Sequence, residues 1–182
     1  GIISKLAFLM DYQTFINCIP KVTDFSLPGK RGHAMMAPSS IRRLYLSNDE
    51  VFEYENDLEN YQKARKASVL LYIYEYKDAL YLTLIKRTTY DGPHSGQISF
   101  PGGKHDEKDA DLKQTAIREC IEEIGIDCTN FEYLGSLTSL YIPVSEFLIQ
   151  PYVFYAKDNT FQFARNEREV AAIKVIDLHA LF

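Results

Sequence analysis

Apolar and polar positions follow two different periods along this chain, and the change between them marks its elements. From Ala67 to Tyr76, in ASVLLYIYEY, β-branched and aromatic residues dominate and predict a strong strand. Lys77-Asp78 can turn the chain, and Ala79 to Lys86 predicts a second strand, so the two form a hairpin. Gln97 to Phe100 predicts a short strand that runs into Pro101-Gly102-Gly103, followed by a charged turn from Lys104 to Asp109. Leu112 to Ile124 then has helical period. Ile117, Cys120, Ile121 and Ile124 fall on one face, the spacing of a buried stripe, while Glu119, Glu122 and Glu123 fall opposite. Asp111 suits the N-cap, with Gln114 three residues on as in a capping box, and Gly125 can end the helix. Three more strands are expected at Phe131 to Leu137, Phe147 to Tyr155 and Val170 to Ile176.

Towards the N-terminus the pattern is weaker. Gly1 to Ile19 reads as helix, Pro20 to Ser40 as an extended arm, and Asn48 to Lys66 as loop or weak helix. No internal repeat is visible. The expected architecture is a mixed sheet flanked by helices, α+β or α/β in class, in a single domain over 1–182. Within it 1–66 forms a helix and arm, and 67–182 the core.

Composition narrows what such a fold can do. A chain of 182 residues is long enough for one well-buried core, and 13 Tyr and 11 Phe without Trp favour a sheet-rich one. The net charge of −5 argues against a nucleic-acid partner, whose phosphate backbone wants a basic surface. An anionic small molecule stays open if a metal cation bridges the two. Cys18, Cys120 and Cys128 form no CxxC pair and no zinc spacing, and their odd number suits a reducing, cytoplasmic compartment. No apolar run approaches the roughly 20 residues of a membrane span.

The candidate chemistry lies on the central helix. Three acids on a polar face are equally well a solvated surface. Glu119 and Glu123, however, stand one turn apart, where like charges repel by a few tenths of a kcal/mol. A hard divalent cation would turn that repulsion into coordination. Gly102 and Gly103, just upstream, allow close approach of backbone to a ligand or simply make a tight turn.

Taken together, Gly103 to Ile126 resembles the Nudix box: Gly, five residues, Glu, seven residues, then Arg-Glu-apolar-x-Glu-Glu-x-Gly-apolar. Arg118, Glu119, Cys120, Glu122, Glu123, Gly125 and Ile126 match its second half. Asp109 stands where the pattern has Glu, and eight residues rather than seven separate it from Arg118. That departure is similar to the coenzyme A pyrophosphatase branch of the Nudix hydrolase family. So are Leu84 to Thr89 with His94 to Gly103 upstream, Gly135-Ser136-Leu137, Ile142 to Ser145, Gln150-Pro151-Tyr152, and Met36-Ala37-Pro38.

The resemblance implies an α/β/α sandwich with the box as loop–helix–loop. It implies Glu119, Glu122 and Glu123 as ligands of Mg²⁺ or Mn²⁺, and Arg118 as the residue that pairs with and orients them. Gly102 and Gly103 would shape the diphosphate site. By charge and by their place near the box, Arg87 and Lys104 are candidates to meet phosphate oxygens, and His94 to donate a hydrogen bond to substrate. Glu167 or Glu169 is a candidate general base. The implied reaction splits coenzyme A or an acyl-coenzyme A into 3′,5′-ADP and 4′-phosphopantetheine, and a homodimer is left open. Two other readings stand beside it. One keeps the chemistry with ADP-ribose or NADH as substrate. The other is a non-catalytic nucleotide-binding module, against which the survival of all three glutamates speaks.

Overall fold

A computed structural model describes residues 62–89, 95–142, 145–157 and 162–178. The expected N-terminal helix, the arm with Met36-Ala37-Pro38, and His94 lie outside the described residues. Within them the chain forms β1 (Arg65–Tyr76), β2 (Ala79–Arg87), β3 (Ile98–Ser99), β4 (Gly102–Lys104), α1 (Leu112–Ile124), β5 (Glu132–Ser136), β6 (Leu140–Ile142), β7 (Phe147–Ala156) and β8 (Val170–Asp177). All eight strands join one mixed sheet.

The expected hairpin is present. β1 and β2 pair antiparallel from Ile73–Leu82 to Tyr76–Ala79, and Lys77 and Asp78 both take the positive φ that a two-residue turn demands. β7 lies parallel to β1 from Arg65–Phe147 to Tyr74–Ala156, and β8 pairs antiparallel with β2.

Two strands were not expected, and both occupy edges that a neighbour leaves free. The β1–β2 ladder stops at Ile73–Leu82, and the segment from β3 to β4 fills the opening beyond it. β3 pairs β2 at Ile85–Ser99, whereas β4 pairs β1 at Val69–Gly102 and Ala67–Lys104. A Gly-Gly pair has little strand propensity of its own; the unpaired edge of β1 makes it a strand. In the same way β6 takes the Phe147–Ile149 end of β7, which β5 does not reach.

Alternate residues of β1 serve the two faces of the sheet. Leu70, Tyr72 and Tyr74 pack with Ile85, Phe154 and Val170 against Ala116, Ile117, Cys120 and Ile124 of α1. Each fully buried aliphatic side chain here, Leu70 and Ile124 among them, contributes about 1.5–3 kcal/mol. Tyr72 stacks on Tyr74 and on Phe131 at centroid distances of 5.2 and 5.4 Å, so aromatics supply much of this layer. Ile73, Leu80, Leu82 and Tyr155 form a second cluster.

The ends of α1 are as expected. Asp111 Oδ1 accepts from Gln114 N at 2.8 Å, and Gly125 closes the helix at φ 74°. The buried arc is not. Ile121, expected in the apolar stripe, is 43% exposed, and Glu123, expected on the solvent side, is 0% exposed. Helical period gives such a stripe only where one apolar surface lies beneath the helix. In fact α1 meets two surfaces of the sheet, the apolar one through Cys120 and Ile124 and the β4 edge through Glu119 and Glu123. That second surface turns the buried arc away from Ile121 and towards Glu123.

Candidate active site

The site is built where β4 passes α1. Gly102 sits at φ 154°, and its N–H donates to Glu123 Oε2 at 2.8 Å. A Cβ at this position would strike the Ser68 carbonyl oxygen and stand 2.7 Å from Val69 Cα, so a side chain here would push β4 off β1. A Cβ on Gly103 would lie 2.5 Å from Glu119 Oε1 and 2.7 Å from its Oε2. Two adjacent glycines thus let two carboxylates, one helical turn apart, lie directly against backbone.

Arg87, at the end of β2, completes this corner. Its Nη2 donates to the Gly102 carbonyl at 2.7 Å. Its Nη1 faces Glu123 Oε1 at 3.1 Å as an ion pair without hydrogen-bond geometry. Burial pushes Glu123 up to about 7 even so, with Arg87 and the Gly102 N–H opposing and the charges of Glu119 and Glu169 adding. Burial also raises Glu119 above the ordinary glutamate value, against Arg118 and with help from Glu122 and Glu169.

These shifts fix the sign of a pH effect. Between the ordinary glutamate range and about 7, the unfolded chain has released the Glu123 proton and the folded chain has not. The stability this group contributes is therefore complete at low pH and lost as pH rises through that window. Urea midpoints of metal-free protein should fall from about pH 5 to about pH 8, and the fall should be shallower in Glu123→Gln. An unchanged slope in the variant would assign the effect elsewhere.

Arg118 organises the other side. Its Nε and Nη2 grip Asp109 Oδ1 and Oδ2 at 2.9 and 3.0 Å. Nη1 donates to Glu119 Oε1 at 2.9 Å and Glu122 Oε2 at 3.0 Å, and Nη2 also reaches the Lys104 carbonyl at 3.2 Å. In the sequence alone Asp109 is only a departure from a pattern. Here its side chain is 6% exposed, and hydrogen bonds from Arg118 hold it well below the usual carboxylate range in spite of burial. The one signal that pointed to it was its place at the box's first acidic position.

The three box glutamates do not converge equally. Glu119 and Glu123 meet at the glycines, while Glu122 is 51% exposed and tied to Arg118. Among the described residues, no three Asp, Glu, His or Cys side chains are gathered closely enough to cage an ion as they stand. The donor set still fits a hard cation. It is all carboxylate oxygen, two members are desolvated, and Glu123 Oε1 makes no hydrogen bond.

Of the two acids before the last strand, Glu169 acts electrostatically on both Glu119 and Glu123. Its carbonyl accepts from Thr88 N at 2.9 Å, which ties it to the end of β2. Glu167 instead pairs with Arg165 at 3.2 Å and is exposed. The Lys104 ammonium lies 5.7 Å above the Phe147 ring. Cys120 and Cys128 are buried in the core. Among the described residues, no helix is long and apolar enough to cross a membrane.

The chain is similar to known proteins in sequence and in fold. The chain is 40% identical over 98 residues to the uncharacterized Nudix hydrolase NudL of Yersinia enterocolitica, covering 54% of this chain and 49% of that protein. It is 36% identical over 115 residues to Nudix hydrolase 15, mitochondrial, of Arabidopsis thaliana, covering 61% of this chain and 39% of the relative. The chain therefore spans half or less of the length of these relatives. A C. elegans Ap4A hydrolase binary complex superposes with TM-score 0.54 at 18% identity, over 64% of this chain and 82% of the other, which is a likeness of fold alone. The NUDIX domain model matches residues 64–182, the stretch that carries the glycine turn and the glutamate helix, and the chain belongs to that family.

Proposed function

We propose that this chain hydrolyses the pyrophosphate bond of a nucleoside diphosphate derivative in the presence of Mg²⁺ or Mn²⁺, with coenzyme A or an acyl-coenzyme A as substrate. One observation carries the reading: the Glu119 carboxylate lies against Gly103 while Glu123 is buried against the Gly102 N–H. Nudix hydrolases generally use divalent metal ions. Here Glu119 and Glu123 would hold the ion, with Glu122 at the rim and Glu169 close by.

When bound, the cation polarises a phosphoryl oxygen, acidifies a water and balances charge on the leaving phosphate. The chain's own residues do the remaining work. Gly102 and Gly103 let the Glu123 and Glu119 carboxylates lie against backbone, which shapes the corner that a diphosphate would meet. Arg118, engaged with Asp109, Glu119, Glu122 and the Lys104 carbonyl, positions carboxylates rather than substrate. Arg87 and Lys104 bring positive charge to a chain of net charge −5 and can meet phosphate oxygens. In this reading Glu169, whose charge acts on both Glu119 and Glu123, takes the proton of the attacking water. The water oxygen bonds to one phosphorus, the bond to the bridging oxygen breaks, and coenzyme A yields 3′,5′-ADP and 4′-phosphopantetheine.

Support for the coenzyme A class comes from Leu84 to Thr89 and His94 to Gly103, which resemble that branch's signature, and from Asp109 in place of Glu. The test is to incubate the protein with Mn²⁺ or Mg²⁺ and coenzyme A, acyl-coenzyme A, ADP-ribose or NADH, and to identify products by mass. The expected result is cleavage of the coenzyme A compounds that stops when metal is chelated. Cleavage of ADP-ribose or NADH alone would overturn the substrate and keep the chemistry. No metal-dependent product from any compound would leave a nucleotide-binding module.

A further inference from the structure

We propose that Thr115 and His105 form a positioning relay that fixes Arg118 through Asp109 and thereby sets Glu119. The consequence for turnover rests on the hydrolase reading above; the relay itself does not.

Thr115 is fully buried on α1, and three polar groups surround its hydroxyl oxygen. Asp109 Oδ2 is at 2.8 Å, His105 Nδ1 at 2.9 Å and the Asp111 carbonyl at 3.3 Å. A hydroxyl has one proton to give. The ionised Asp109 carboxylate, held well below the usual range, is the nearest and strongest acceptor, so the proton goes there. The Asp111 carbonyl, the most distant of the three, already accepts from Thr115 N at 3.1 Å, and the contact with His105 is then satisfied only if the ring brings a hydrogen. His105 must therefore carry its proton on Nδ1, the donor form towards Thr115.

This arrangement saturates Asp109. Oδ2 accepts from Thr115, from Arg118 Nη2 at 3.0 Å and from Asp106 N at 3.2 Å, while Oδ1 accepts from Arg118 Nε at 2.9 Å. A carboxylate held in this way cannot rotate, so the guanidinium fork it grips presents Nη1 to Glu119 Oε1 in one orientation. His105 is anchored in turn, because its backbone N–H donates to the Lys66 carbonyl at 3.0 Å and ties the loop after β4 to β1. The relay thus runs from the sheet edge through two side chains that touch neither Glu119 nor Glu123 by any hydrogen bond described above.

The test combines a spectroscopic and a binding readout. In metal-free protein labelled with ¹⁵N histidine, at a pH where the ring carries one proton, His105 should show the Nδ1–H tautomer. Thr115→Val, which keeps shape and loses the hydroxyl, should weaken Mn²⁺ binding and lower kcat by about 10-fold each while KM changes by less than about 2-fold. Thr115→Ser should restore both. An Nε2–H ring in the wild type, a valine variant with wild-type Mn²⁺ affinity, or a serine variant as impaired as valine would each overturn the relay. If Thr115→Val does not fold, the wild-type tautomer and the serine variant still decide. A wild type with the Nδ1–H ring but no metal-dependent hydrolysis would sink the hydrolase reading alone.

Discussion

Glu123→Gln should lower metal-dependent turnover by about 100-fold or more and leave the protein folded, because outer-shell partners already cost about 10–100-fold and Glu123 sits closer to the chemistry. Glutamine has nearly the same volume, and its oxygen can still accept the Gly102 N–H that Glu123 Oε2 accepts at 2.8 Å. What disappears is the negative charge, which burial makes costly in the free protein and which only a cation or Arg87 balances. Stability should therefore change little while the cation loses its most desolvated ligand. Glu122→Gln is the matched control. That side chain is half exposed and already engaged with Arg118, so its loss should cost about 10-fold or less. Steady-state rates over a Mn²⁺ titration, with circular dichroism of each variant, would check both. If Glu123→Gln kept turnover within about 3-fold of wild type, the carboxylate pair at the glycines would not be the metal site.

Gly102→Ala should destabilise the protein by about 3 kcal/mol or more, the upper range for overpacking a closed site. The added methyl would meet backbone on β1, the Ser68 carbonyl oxygen and Val69 Cα, and neither can move without opening the β1–β4 ladder. The φ of 154° adds strain that alanine does not relieve. For a chain of this size the loss corresponds to roughly 10 °C in melting temperature. Gly103→Ala makes the comparison informative. Its methyl would meet the Glu119 carboxylate, a side chain that can swing aside, so the melting temperature should fall much less while activity is lost. Thermal denaturation of the two variants side by side would decide it. Equal melting temperatures would mean that the packing of Gly102 on β1 does not hold the turn in place.

The strands and helix that the periodicity expected, from β1 and β2 to α1 with its Asp111 and Gly125 caps, rest on local preferences that each segment carries wherever it is placed. The box residues were legible for the same reason, since Arg118 and the glutamates occupy fixed positions on one helix. What surrounds that helix was not. Glu123 is buried because a second surface covers it, and β4 is a strand because β1 has a free edge; both facts join residues far apart in the chain. The reach of Arg87 to Glu123 and of Thr115 to Asp109 likewise depends on where separate segments come to rest. The sequence by itself determined which groups the site can use, because identity and helical spacing are local. Only the tertiary structure decided which of them are desolvated and which neighbour each one faces, because burial and electrostatic partnership come from the whole fold.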